Sequence, residues 1–214
     1  MARSYKLLCP IARALDRVGD RWTLLVLRDL HAGPARFVDL AQGLPGIASN
    51  LLTSRLAQLQ DAALVEHVQG AHGVSLYQLT PLGESTAPLL FSLAQFGAQF
   101  PPDDDIKRPG NLRLIAVTLK AALSTVADGH RLNLELRVDG EAFRVDIDGE
   151  HVSVLYGPAD APQVTVAVPY EPLVELVDGA LAPEEFAKRH LQVLEGDPSQ
   201  ATLFFQLLAE AIGI

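Results

Sequence analysis

Gly43-Leu44-Pro45-Gly46-Ile47-Ala48-Ser49-Asn50-Leu51-Leu52-Thr53-Ser54-Arg55-Leu56 is the stretch that decides how the first half of the chain folds. A Pro between two glycines stops a helix, so residues 43–47 read as a turn. Beyond it the apolar spacing becomes helical. At about 100° per residue, Leu52, Leu56, Leu59 and Ala63 fall within one narrow stripe. Asn50, Thr53, Ser54, Ala57 and Gln58 point the other way. A helix is therefore expected from Ala48 or Ser49 to Ala62, with a shorter one over residues 37–42 before the turn.

Working outward, Pro10 suits the first position of a helix through Val18. Asp20 is a plausible N-cap for a second helix that buries Trp22, Leu25 and Val26 and ends at Gly33-Pro34. Downstream, residues 64–69 and 74–79 alternate across Gly70-Ala71-His72-Gly73, a hairpin signal. Thr80-Pro81 then opens a helix with Leu89, Leu90, Leu93, Phe96 and Phe100 at helical spacing. Helix, turn, helix and two-stranded hairpin is the winged helix-turn-helix order. A small polar face of Ser49, Asn50, Thr53 and Ser54 can enter a major groove and bond base edges. A merely solvated amphipathic helix has the same periodicity. Arg36 and Arg55 are the candidate phosphate ligands; for Arg55 the other reading is an ion pair with Asp61 or Asp39. His72, the only titratable group at a hairpin tip that lacks Lys and Arg, is the candidate DNA contact there.

Six motifs sharpen this reading: Cys9-Pro10-Ile11, Gly19-Asp20-Arg21-Trp22-Thr23, Gly33-Pro34-Ala35-Arg36-Phe37, Leu44-Pro45-Gly46-Ile47, Leu51-Leu52-Thr53-Ser54-Arg55-Leu56 and Tyr77-Gln78-Leu79-Thr80-Pro81-Leu82-Gly83. In this order they resemble the HxlR family of bacterial transcriptional regulators, which is related to the MarR group. The resemblance covers about residues 7–98. It implies a homodimer on a palindromic operator in double-stranded DNA. Ala48 stands where that family commonly has a serine, so either Ser49 takes the cap or the first turn shifts. Several such regulators sense oxidants or electrophiles through a cysteine at the position of Cys9. Here it precedes Pro10 at a helix N-terminus with Arg13 one turn on, a setting that suits a reactive thiol. The alternative is a small hydrophobe that packs.

Charge divides the 214-residue chain. Residues 1–100 hold 8 Lys+Arg against 7 Asp+Glu, a balance of +1, and residues 101–214 hold 9 against 19, a balance of -10. Only the first half can sit beside a polyanion without a large penalty. Pro101-Pro102-Asp103-Asp104-Asp105, closed by Pro109-Gly110, reads as a linker over residues 101–110. Residues 111–214 alternate strands and helices, with tight turns at Asp139-Gly140 and Asp148-Gly149. An α+β layer follows, an antiparallel sheet covered by helices. Val138-Asp139-Gly140, Asp178-Gly179-Ala180-Leu181 and Val193-Leu194-Glu195-Gly196-Asp197 resemble a sterol-carrier-protein-like domain, which implies an apolar small-molecule ligand. Leu134, Leu136, Phe143, Val145, Leu173, Leu176, Phe186, Phe204 and Leu207 would line its pocket, although the same residues would serve as a filled core.

The rest of the sequence argues by exclusion. There is no Gly-x-Ser-x-Gly elbow, no phosphate loop and no dinucleotide fingerprint. The six histidines are scattered and the single cysteine cannot build a zinc site, so no metal, cofactor or enzymatic activity is expected. One cysteine, no signal-like segment and no apolar run near the roughly 20 residues of a membrane span point to a cytoplasmic protein. The expected function is a dimeric DNA-binding regulator whose second domain senses an apolar small molecule. The other reading is a lipid or small-molecule carrier whose winged domain only dimerises.

Overall fold

The computed structural model describes residues 4–97, 99–100, 111–177 and 179–213. The expected linker, residues 101–110, lies outside them. The chain divides into two units: residues 111–114 group with the first, while residues 94–97 and 99–100, at the end of the first unit's last helix, group with the second, whose main body starts at Ile115.

In the first unit, α1 (Pro10–Val18) begins on a proline, where a missing N–H costs nothing. Helix α2 (Thr23–Leu30) follows a turn in which the Asp20 carboxylate accepts the Trp22 N–H at 2.9 Å. Next come α3 (Phe37–Gly43) and α4 (Ser49–Asp61). Leu52, Leu56 and Leu59 of α4 are buried beside Val26, Leu27 and Leu40 in the unit's core. Each contributes about 1.5–3 kcal/mol by leaving water. Strands β1 (Val65–Gln69) and β2 (Ser75–Leu79) pair antiparallel across a single 3₁₀ turn. At its tip His72 takes φ 57°, the left-handed region. The helix expected after Thr80 is split into α5 (Pro81–Glu84) and α6 (Ala87–Gly97), with the Thr80 hydroxyl capping the Gly83 N–H. Only glycine fits at 83, because a Cβ there would lie 2.0 Å from the Leu64 carbonyl oxygen.

The second unit is α+β. Helix α7 (Leu114–Leu123) leads into β3 (Arg131–Val138), β4 (Glu141–Asp148), β5 (His151–Tyr156) and β6 (Val164–Val168). Helices α8 (Tyr170–Val177) and α9 (Pro183–Arg189), strand β7 (Gln192–Gly196) and helix α10 (Pro198–Ile212) complete it. The sheet order is β5-β4-β3-β6-β7. The sheet is mixed rather than wholly antiparallel, because β3 and β6 run parallel. The reason lies in the connection from β5 to β6. It crosses the polar face of the sheet, where Glu135 accepts the Ala159 N–H at 3.0 Å, and so delivers β6 in the direction of β3. The opposite face carries a continuous apolar band, with Val154, Val145, Leu134 and Val164 in register across four strands. Helix α10 packs against β6 and β3.

Candidate nucleic-acid interface

Helix α4 keeps its leucines inward and presents Ser49, Asn50, Thr53 and Ser54, all exposed. These four expected base-edge residues share one face. Ser49 is the first helical residue and not the cap. Ala48 holds the N-cap position with no side-chain bond; its carbonyl accepts the Leu51 and Leu52 N–H groups, and those of Ser49 and Asn50 are left to solvent or a ligand. The Thr53 hydroxyl donates to the Ser49 carbonyl at 2.9 Å. Its proton is therefore committed within the helix, and it offers the outside only an acceptor and a methyl group.

The two expected phosphate ligands are both engaged by carboxylates. Arg36 makes a bidentate pair with Asp39, Nε to Oδ2 at 2.9 Å and Nη2 to Oδ1 at 2.7 Å. The same carboxylate accepts the Arg36 N–H at 3.1 Å, closing the first turn of α3. Arg36 holds the Asp39 carboxyl below its ordinary range, chiefly through the side-chain hydrogen bond. Arg55 turns neither to Asp61 nor to Asp39. Its Nη2 lies 2.8 Å from Asp20 Oδ2 and its Nη1 donates to Gln58 Oε1 at 2.6 Å, so its guanidinium is drawn off the outer face. Nothing in the sequence marks Asp20, 35 positions away, as its partner. On the hairpin His72 is exposed, and His67 Nε2 is hydrogen-bonded to Ser75 Oγ with its ring against Tyr77.

Cys9 is exposed at the N-cap of α1, with its carbonyl accepting the Arg13 N–H at 3.1 Å. Large apolar side chains are exposed close by in sequence and again on α6: Leu8, 98% accessible, Ile11, Leu89, Leu93 and Phe96. In the second unit the nine expected lining residues are all buried. Leu134, Leu136, Phe143 and Val145 lie on the apolar face of the sheet, and Leu173, Leu176, Phe186, Phe204 and Leu207 come from the helices. None of them borders the cleft of about 280 Å³ that opens among Arg137, Asp139, Val168, His190 and Gln192. Among the described residues no helix is long and apolar enough to cross a membrane.

Residues 17–105 match the HxlR-like helix-turn-helix family, and residues 112–209 match the SCP-2 sterol transfer family. An HTH-type transcriptional regulator of Mycobacterium tuberculosis is 37% identical over 94 residues, covering 43% of this chain and 59% of that protein. One from Synechocystis is 31% identical over 96 residues, covering 44% of this chain and 70% of that protein. The chain thus spans less than two thirds of the length of the mycobacterial relative. The reduced form of the transcriptional regulator YodB from B. subtilis is 27% identical, with 45% of this chain and 100% of that chain covered and a TM-score of 0.40.

Proposed function

The chain belongs to the HxlR-like helix-turn-helix family, and from that premise we propose that it is a dimeric, sequence-specific DNA-binding transcriptional regulator whose second unit senses an apolar small molecule. The observation that carries the reading is the face of α4. Asn50 and Ser54 offer donors and acceptors, Thr53 an acceptor, and no bulky side chain on that face obstructs a groove about 12 Å wide. A single helix reaches too few bases for specific binding, so two half-sites about 34 Å apart are expected. The exposed apolar side chains of α1 and α6 support a two-fold dimer. Similarity to the sterol transfer family and the continuous apolar face of the sheet support an apolar ligand held against it.

The carrier reading has its own support. Arg36 and Arg55 are paired with carboxylates, and the hairpin tip has no Lys or Arg. Salt dependence separates the two. A regulator binds a promoter fragment with an affinity that falls linearly with log salt, by about 0.9 for each phosphate neutralised. A carrier shows no specific shift at any salt. Sedimentation at micromolar concentration checks the dimer, which a monomer mass would overturn.

A further inference from the structure

The corner between α2 and α3 is held by residues that follow the end of α6 by 14 and 16 positions. Asn111 Nδ2 donates to Asp29 Oδ2 at 3.0 Å and to the Gly43 carbonyl at 2.5 Å. Arg113 Nε donates to the Asp29 carbonyl at 3.0 Å and its Nη2 to the Gly33 carbonyl at 2.9 Å. Asn111 Oδ1 accepts the Arg113 N–H at 2.9 Å, which ties the two side chains into one clamp. Its acceptors are not spread through the core. They are the Asp29 carboxylate, the carbonyls of Asp29 and Gly33 at and beyond the end of α2, and the carbonyl of Gly43, which ends α3.

The clamp is tight on both sides. Asp29 is fully buried, and its other oxygen takes Arg28 Nε at 2.8 Å. Burial pushes its carboxyl above the ordinary range despite the arginine, so each hydrogen bond to it counts. A Cβ on Gly43 would lie 2.9 Å from both Asn111 Nδ2 and Asp29 Oδ2, so no other residue fits there without moving the clamp. Gly43 is also where the chain turns towards α4.

We propose that Asn111 and Arg113 are positioning residues for base reading. Asn111 Nδ2 and the Nε and Nη2 of Arg113 serve the α2–α3 corner rather than DNA, and by fixing Gly43 against α2 they set the angle at which Asn50 and Ser54 meet the groove. The inference rests on the DNA-binding reading above. The next residue, Leu114, begins α7, so the corner is held by the same stretch of chain that enters the second unit.

The test uses the full chain as Asn111→Ala, Arg113→Ala, Gly43→Ala and Arg113→Lys, at a temperature where circular dichroism shows each one folded. Affinity is measured across a salt series for an operator selected from random duplexes and for an unrelated duplex. Hydrogen exchange is followed at residues 43–47. The expected result is a loss of about tenfold for the operator in the first three variants, on the scale of two lost hydrogen bonds. Affinity for the unrelated duplex and the salt slope stay unchanged, and exchange at 43–47 quickens. Arg113→Lys recovers part of the operator affinity, since an ammonium can still reach one carbonyl. Operator affinity within about twofold of wild type in both alanine variants overturns the proposal. So does an equal loss on both duplexes, which marks lost folded protein, and so does a salt slope lower by about one unit in Arg113→Ala, which marks a phosphate ligand. If the wild type selects no operator at all, the regulator reading fails and this inference falls with it; unchanged exchange at 43–47 in the variants would instead show the clamp itself to be idle.

Discussion

Arg55 Nη2 lies 2.8 Å from Asp20 Oδ2, which ties the middle of α4, the helix proposed to read bases, to the turn that precedes α2. Asp20 is doubly used, since its other oxygen accepts the Trp22 N–H. The Arg55 side chain is 19% accessible and that of Asp20 33%, so the pair is shielded enough to act as a strut between two helices. A guanidinium held this way contributes to register by fixing α4 and adds little to phosphate affinity.

A double-mutant cycle over Arg55→Ala and Asp20→Ala should show a coupling of about 1 kcal/mol in unfolding free energy, at the upper end for partly exposed pairs. Arg55→Ala should leave the slope of log affinity against log salt unchanged. A slope smaller by about one unit would make Arg55 a direct phosphate ligand.

The hydroxyl of Thr53 is bonded to the Ser49 carbonyl, while among the described residues no such bond ties the amide of Asn50. Asn50→Ala should therefore cost about 1–3 kcal/mol at one position of each half-site, the worth of a bidentate amide–adenine pair. Thr53→Val, which keeps the shape and the methyl, should cost clearly less. Competition binding with single-base operator variants measures both. A larger loss for Thr53→Val would mean that the hydroxyl leaves Ser49 when DNA is bound.

Arg36 is more exposed than Arg55, and as a phosphate ligand it would have to leave Asp39 for DNA. Asp39→Ala should tighten binding to every duplex by a few-fold and steepen the salt slope by about one unit, since it frees one cation and removes one anion. The pH response follows from the depressed carboxyl of Asp39. A folded value below the unfolded one means that the pair's stabilisation is complete above the ordinary carboxylate range. It is lost as pH falls through the depressed value. Arg36 thus remains paired at neutral pH, and mild acid alone should not mimic Asp39→Ala in a binding titration.

The order of elements in the first unit was legible because periodicity is local. Leucines at 52, 56 and 59 can only be buried by turning one face of α4 inward, and that leaves Asn50 and Thr53 outside. The strand pattern of residues 131–168 was legible for the same reason. The partner of Arg55 was not, because Asp20 meets it only after α2 and α4 have packed. The clamp from Asn111 was hidden similarly, behind a run of prolines and aspartates that reads as a boundary. The parallel pairing of β3 with β6 also escaped sequence reading, since hairpin signals describe only strands that follow one another in the chain. Lining and core could not be told apart in the second unit, because an apolar ligand and a neighbouring helix ask for the same leucines and phenylalanines.

Cys9 gives the last prediction. The thiol is exposed at the N-cap of α1, so reagents in solution can reach it, and the packing role open to a buried cysteine does not apply. Leu8 and Ile11, either side of it, are among the exposed apolar residues that support the dimer, which places chemistry at Cys9 close to any contact they make. The chain has no second cysteine. Oxidation can therefore give a disulfide between two copies, a mixed disulfide with a small thiol, or a sulfenic acid. Each adds bulk or a covalent tie near the proposed contact, and a change there alters the spacing of the two α4 helices that must span two half-sites. Diamide should thus change operator affinity of the wild type several-fold, by the geometry of half-site spacing, and a thiol reductant should restore it. Cys9→Ser should bind like the untreated wild type and ignore diamide. The measurement is operator affinity of both proteins with and without diamide, alongside non-reducing electrophoresis to identify the adduct. Equal affinities in all four conditions would leave Cys9 without a regulatory role.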